Sequence, residues 1–407
     1  MTRLEELLRD EWGRLLALLV AQYRRLELAE DGLGDAFEAA ARTWPRDGIP
    51  GNPAAWLLVA ARRRILDRLR AEAIAARRLP LLAVEADLQE EAQRVMADSG
   101  EVAHDERLRL VLLCAHPSLA PESAAALTLR LVLGIGTGDI ARLFLVSRPT
   151  MAARLTRARK RLAGERFELP DGAELEERLG VVADIAYLAF TAGYAPGSGP
   201  DVLRPELASE AIRLVRVVRE LAPGRTELDA LLALMLIQHS RRDARVDPAA
   251  GTLVLLPDQD RSRWRRTEID EALALLTPLT AAPPAPYLLE ALIAAEHAIA
   301  PAATDTDWPR IAARYRELEE LTGSPVVRLN RAVAVAEADG PLAGLALLEG
   351  LDLPGHRLPS VRGEFLLRSG RHVESLAAFD RAITACDNDA ERAHLEERRA
   401  RVAEWAG

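Results

Sequence analysis

Eight basic side chains crowd the stretch from Arg142 to Arg166 against one acid, Glu165, a local charge of +7 in a chain whose net charge is −9. Guanidinium groups at this density suit nucleic acid, because their planar fork pairs bidentately with phosphate or with the edge of guanine. The apolar residues between them set which face they occupy. Ile140 and Ala141, with Leu143 and Phe144, form the inner stripe of one short helix; Met151 and Leu155, spaced i, i+4, form that of a second. Ser147 is a good N-cap for the second helix, and Pro149 falls in its first turn, where a missing N–H costs nothing. That leaves Arg148, Thr150, Ala152, Arg154 and Arg157 facing outward, followed by Arg159, Lys160 and Arg161. The pattern predicts a helix-turn-helix whose second helix enters a major groove, with early residues on bases and later cations on phosphates. Leu145 stands where such turns usually carry glycine, which implies a slightly different turn. The alternative is a basic amphipathic helix pair with no role on DNA.

A second basic cluster lies upstream. Residues 54–70 read as one long helix, and between Ala60 and Arg78 seven arginines (62, 63, 64, 68, 70, 77 and 78) face only Asp67 and Glu72. Trp56 sits near the start of that helix. Cations beside an aromatic ring suit unstacked DNA, the charges following the backbone while the ring stacks on a base. A buried Trp56 under a solvated arginine face fits the same residues. Before this helix, Leu4, Leu7, Leu8, Trp12, Leu15, Leu16 and Leu19 recur at helical spacing. A break is expected near Asp31 to Gly34, and a loop over Pro45 to Pro53. Residues 80–106 are acidic (Glu85, Asp87, Glu90, Glu91, Asp98, Glu101, Asp105, Glu106) and read as an irregular linker.

At 407 residues the chain should hold two or three domains. With 49% hydrophobic but only 4% aromatic residues, its composition favours packed helices, so an all-α fold is expected. Cys114 and Cys386 stand alone, which supports neither a disulfide framework nor a zinc site, and no cofactor is implied. No apolar run reaches membrane-spanning length and no signal-peptide pattern opens the chain, so a cytoplasmic protein without membrane contact is expected.

From residue 174 onward helix follows helix, with loops expected at 195–200, 247–251 and 281–286. Residues 329–348 repeat in 360–383, where Gly370, Ala377, Phe379 and Ala382 approach tetratricopeptide spacing. Such pairs stack into a solenoid with a concave partner surface, although a plain helical bundle fits too. Two polar clusters stand out there. His239 with Asp243 ends an apolar helix, as a capping or hydrogen-bonded histidine would. Asp258, Asp260, Arg261 and Trp264 form either a loop that ties helices together or a site for a regulatory protein or ligand. No metal-ligand spacing, nucleophile elbow or phosphate loop supports an enzyme.

Two basic helical modules in this order, joined by an acidic linker, resemble a bacterial sigma factor of the extracytoplasmic-function type. The runs Asp258 to Trp264, Thr306 to Ile311 and Asn330 to Glu337 resemble the subgroup with a long tetratricopeptide-like tail. The resemblance implies an all-α chain with sigma region two over residues 1–79, the linker over 80–106, region four over 107–166 and a regulatory helical domain over 174–407. Its partners would be core RNA polymerase, through clamp and flap, and promoter DNA. Asp31, Asp35 and Phe37 match the polymerase-binding helix. Trp56, Arg63, Asp67 and Arg70 match the helix that melts the −10 element, with Arg63 departing from the asparagine common in the wider family. Arg148, Thr150, Arg154 and Arg157 match the −35 helix, with Lys160 on phosphate. A polymerase-independent helix-turn-helix regulator with a sensor tail is the competing reading.

Overall fold

The computed structural model describes residues 3–75, 99–144, 146–165, 167–194, 205–247, 254–386 and 389–406. Among them are eighteen α-helices and no strand, so the chain is all-α. It divides into two compact units, one of Met1–Ala189 with Arg213–Pro223, the other of Phe190–Ile212 with Gly224–Gly407.

The first unit begins with α1 (Arg3–Tyr23), α2 (Leu26–Asp47) and α3 (Pro53–Ala75). The heptad-like leucines of α1 are its buried face: Leu7, Trp12, Leu15, Leu16 and Leu19 are all in the core. No break occurs at Asp31 to Gly34; α2 runs straight through it. Gly32 serves a close approach instead, since a Cβ there would lie 2.6 Å from Cγ1 of Ile65 on α3. The chain turns earlier, at Arg24, whose φ is 53°. The expected loop also starts late, at Gly48, because Pro45 is accommodated in the last turn of α2.

Next come α4 (Ser99–Cys114), α5 (Pro121–Leu131), α6 (Thr137–Leu143) and α7 (Arg148–Leu162). The acids at 85, 87, 90, 91 and 98 lie outside the described residues. The rest of the expected irregular linker is helical from Ser99, since α4 extends back from its apolar run and Glu106 pairs with Arg109 one turn on. Gly13 of α1 marks where the two modules press together, for a Cβ there would fall 2.3 Å from the Val132 carbonyl oxygen. The helices α8 (Gly172–Tyr194) and α9 (Pro205–Leu221) divide between the units. The end of α9 belongs with the first because Arg213 donates to the Leu133 carbonyl at 2.8 Å. The boundary expected from sequence near residue 174 therefore falls inside the first compact unit.

The second unit holds α10 (Thr226–Ser240), α11 (Arg266–Leu276), α12 (Pro286–Ile299), α13 (Trp308–Thr322), α14 (Pro325–Asp339), α15 (Pro341–Leu347), α16 (Arg357–Arg368), α17 (His372–Thr384) and α18 (Asp389–Ala406). Leu228 and every residue from Ala230 to Ile237 are buried in α10, which packs on both α11 and α12. Consecutive helices then pair as hairpins, α13 with α14 and α16 with α17. The sequence repeat corresponds to α14–α15 and α16–α17, turned at Gly340 and Gly370. Phe379 and Ala382 interlock as expected, but Ala377 is exposed and Ala378 takes the buried place, one residue on around the helix. No described helix is long and apolar enough to cross a membrane.

Candidate nucleic-acid interface

The α6–α7 pair is a helix-turn-helix. Ile140 and Ala141 are buried where the helices cross, and Val146 N–H donates to the Ala141 carbonyl at 3.0 Å across the turn. Leu145 lies outside the described residues, as does Arg166. Ser147 caps α7, its Oγ accepting from Thr150 N–H at 3.3 Å and lying 2.8 Å from Thr150 Oγ1. Met151, Leu155, Ala158 and Leu162 make the buried stripe. Opposite it, Arg148, Thr150, Arg157, Lys160 and Arg161 are exposed and Arg154 is half-buried. None of these cations forms an ion pair among the described residues. Arg159 is different. It bonds Glu30 of α2 at 2.7 Å, so it is not available to phosphate as the sequence suggested.

Glu30 is a shared anchor. It is 5% exposed, and its other oxygen accepts from Arg130 of α5 at 2.6 Å. Arg130 also donates to the Ile135 carbonyl and lies 5.3 Å from the Trp12 ring centre. One buried carboxylate thus ties α2 to both α5 and the recognition helix.

In the first module, Trp56, Arg63 and Asp67 line one open pocket of about 550 Å³, closed by Pro50, Gly51 and Asn52 of the α2–α3 loop and by Arg64. Asn52 shapes this rim: its Oδ1 accepts from Ala55 N–H at 3.0 Å and so caps α3. Trp56 is half-buried, edge-on to Trp44 at 5.4 Å between ring centres, which fixes the ring while leaving part of it accessible. Arg70 does not line the pocket; it bonds Asp67 at 3.3 Å. Sequence reasoning missed Asn52, counted Arg64 in the basic cluster without singling it out, and placed Arg62 in that cluster although its side chain is buried.

The acids matched to polymerase binding, Asp31 and Asp35, both pair with Arg68 of α3, at 2.7 and 2.9 Å. Phe37 is not beside them on the surface. It is 6% exposed, 5.7 Å from Trp12 between ring centres, and holds α2 against α1. A side chain so placed cannot reach a second protein.

The polar clusters of the second unit are structural in part. Asp260 caps the short turn Arg261–Arg263, accepting from the Ser262 hydroxyl at 2.6 Å and from Ser262 N–H at 2.9 Å, and these bonds hold its carboxyl below the usual range. Arg261 donates to the His297 and Ala300 carbonyls at the end of α12 and stacks 4.5 Å from the buried Trp264 ring centre. Asp258 is exposed. His239 is buried and bonded, with Nδ1 3.0 Å from Glu268 and Nε2 3.1 Å from Ser209 Oγ. Asp243 faces Arg265 instead of His239, at 2.8 Å. Among the described residues, one group brings ligand atoms close enough to share a metal: His356, Cys386 and Glu391, within 4.8 Å. An ion pair between His356 and Glu391 at 3.2 Å accounts for two of the three.

Residues 7–74 match the sigma-70 region 2 family and residues 109–162 match sigma-70 region 4. The chain belongs to the extracytoplasmic-function type of sigma factor. Residues 178–280 of this sigma factor match a family of unknown function, DUF6596, which begins its C-terminal extension. An uncharacterized protein of Rhizobium meliloti (strain 1021) is 42% identical over 391 residues, covering 93% of this chain and 91% of that one. No solved structure matches the sigma factor. Its region 2 match contains the pocket beside Trp56, and its region 4 match contains α6 and α7.

Proposed function

We propose that this factor directs core RNA polymerase to two-element promoters, through region two over residues 1–79 and region four over 107–166, with residues 174–407 regulating it in cis. Asp31 and Asp35 meet the polymerase clamp, exchanging Arg68 for the clamp's cations. An unstacked −10 base enters the pocket beside Trp56, where Arg63 and Arg64 follow the backbone and Asp67 accepts from a base edge. The −35 element is read by Arg148, Thr150, Arg154 and Arg157, with Lys160 on phosphate. The observation that carries this reading is the pocket itself, which gathers an accessible aromatic ring, two cations and an acid in one concave site. Binding and base capture require no catalytic group, and the work belongs in the cytoplasm beside the nucleoid.

The test is transcription in vitro with core polymerase and fragmented genomic DNA, sequencing the 5′ ends. Specific starts that share two spaced upstream elements and need this protein support the reading. No core binding and no new starts would favour the polymerase-independent regulator. For the tail, a chain ending at Pro223 keeps the first compact unit whole. Its promoter activity in cells should differ strongly from that of the full chain; equal activity would exclude regulation in cis by residues 224–407.

Arg148→Ala and Arg154→Ala should each lose about 1–3 kcal/mol of discrimination between promoter and mismatched −35 sequences if the side chain reads a base. A side chain on phosphate would instead weaken all sequences alike and flatten the salt dependence. Binding titrations at two salt concentrations separate these outcomes, and no change in either quantity would mean that α7 presents another face.

A further inference from the structure

Among the described residues of the second unit, five buried polar atoms without a hydrogen-bond partner belong to side chains that lie together. They are Arg241 Nε, Arg245 Nε, Tyr194 Oη, Trp264 Nε1 and Gln259 Oε1. Ring stacking and backbone hydrogen bonds join them. The Arg245 guanidinium stacks 4.4 Å from the Tyr194 ring centre, and that of Arg241 lies 5.8 Å from the Trp264 ring centre. Val254 links Gln259 to Arg245, donating to the Arg245 carbonyl at 2.8 Å and accepting from Gln259 Nε2 at 3.1 Å. Each of these five residues lies within 178–280, the segment matching a family of unknown function.

The charge is as unbalanced as the hydrogen bonding. Four guanidinium groups meet here, from Arg241, Arg242, Arg245 and Arg261, and the acids close by are already committed. Glu268 grips Arg242 with both oxygens at 2.8 Å and also bonds His239. Asp243 is taken by Arg265 and Asp260 by Ser262. Arg261 is spent on the carbonyls ending α12. Arg241 and Arg245 reach only the neutral Gln238, and no carboxylate among the described residues pairs with either. Burial, and then the charge of Arg245, push the Arg241 guanidinium down to about 9, so it keeps its proton near neutrality and remains a buried, unneutralised cation. Proteins rarely leave such a charge unpaired, because its desolvation is uncompensated.

We propose that Arg241 and Arg245, walled by Tyr194 and Trp264, form a binding site for a small oxyanion of two negative charges, a phosphate or a dicarboxylate. Two guanidinium forks supply the charge and the bidentate geometry that such oxygens need. Tyr194 Oη and Trp264 Nε1 add two neutral donors, and Gln259 Oε1 asks for a hydroxyl or N–H on the ligand. This site stands independently of the regulatory reading of the tail, since it predicts binding whether or not binding alters transcription.

The experiment uses the full chain in calorimetric titration and thermal unfolding. The probes are inorganic phosphate and succinate, with sodium chloride at matched ionic strength as control. One-to-one saturable binding with a raised Tm is expected for at least one dianion and not for chloride. Phosphate alone would identify a phosphoryl ligand, and succinate alone a dicarboxylate. Arg245→Met should lower the affinity at least a hundredfold while melting no lower than the parent chain without ligand, because it removes an unpaired charge and keeps the stem's volume. A structural arginine would do the reverse. Tyr194→Phe keeps the ring and removes one donor, so it should weaken binding about three- to tenfold even if the arginine variant fails to fold. The proposal is overturned if neither dianion exceeds chloride, or if Arg245→Met binds as well as the parent.

Discussion

Replacing Glu30 by Ala should destabilise the first unit by about 3–5 kcal/mol, the usual cost of removing one member from a buried ion pair. The carboxylate serves Arg130 and Arg159 at once, and both guanidinium groups are mostly shielded from water, with side-chain exposures of 23% and 16%. Without Glu30 they would stay desolvated and face each other unneutralised. In a unit of this size that loss lowers Tm by roughly 6–20 °C. Urea unfolding followed by circular dichroism would measure it. A loss below about 1 kcal/mol would show that the pairs are not formed in solution. Changing Glu30, Arg130 and Arg159 together to Leu or Met should recover much of the stability, because apolar replacements of similar volume often equal a buried ion network.

Acid should loosen the second unit in two separable steps. His297 is half-buried at the end of α12, edge-on to Trp308 at 5.2 Å between ring centres. Burial, and then the charges of Arg241 and Arg261, hold its pKa down to about 4 against an ordinary 6.5. As pH falls below 6.5 the unfolded chain takes up a proton that the folded chain refuses. Stability is therefore full above 6.5, declines as pH drops towards 4, and is flat below that, for a loss of about 3 kcal/mol. Glu268 acts lower. Burial alone would raise its carboxyl, but the bonds from His239 and Arg242 outweigh it and bring the value to about 2. Its contribution is present above pH 4.5 and is lost between 4.5 and 2. Urea midpoints at pH 7, 5.5 and 4.5 for the parent and for His297→Gln test the first step. The variant should show a much flatter profile over that range, and an unchanged slope would assign the acid sensitivity to another group.

The recognition helix was legible because each of its signals is local. Ser147, Pro149 and the Met151–Leu155 spacing act within one or two turns, and the structure places them as the spacing requires. Gly32 misled because a glycine marks a break or a close helix crossing with the same letter, and only the position of Ile65 decides between them; Gly34 has open space beside it and meets no such neighbour. Register was the second limit. Arg62 and Arg63 differ by 100° around α3, enough to put one in the core and the other on the pocket, and Ala377 and Ala378 divide in the same way. Long-range pairing was out of reach altogether. Glu30 and Arg130 are a hundred residues apart, and nothing local distinguishes Glu30 from a solvated acid. Arg241 and Arg245 carry no local signal either, since two arginines one turn apart usually face water.

Glu30 also limits how far the protein can stretch. Arg148 and Arg159 are separated by about 17 Å along α7, and Glu30 stands about 9 Å along α2 from Ala36 at the pocket wall. With Arg159 bonded to Glu30, the −35 and −10 surfaces of the proposed reading lie within roughly 40 Å, allowing about 10 Å for each helix crossed. Promoter elements so named are about 25 base pairs apart, roughly 85 Å of duplex. One molecule cannot touch both while this carboxylate holds its two arginines. Touching both at once would require Arg130 and Arg159 to let go of Glu30. In the proposed reading, the form that carries Glu30 between its arginines is a folded ruler, shorter than the site it would measure.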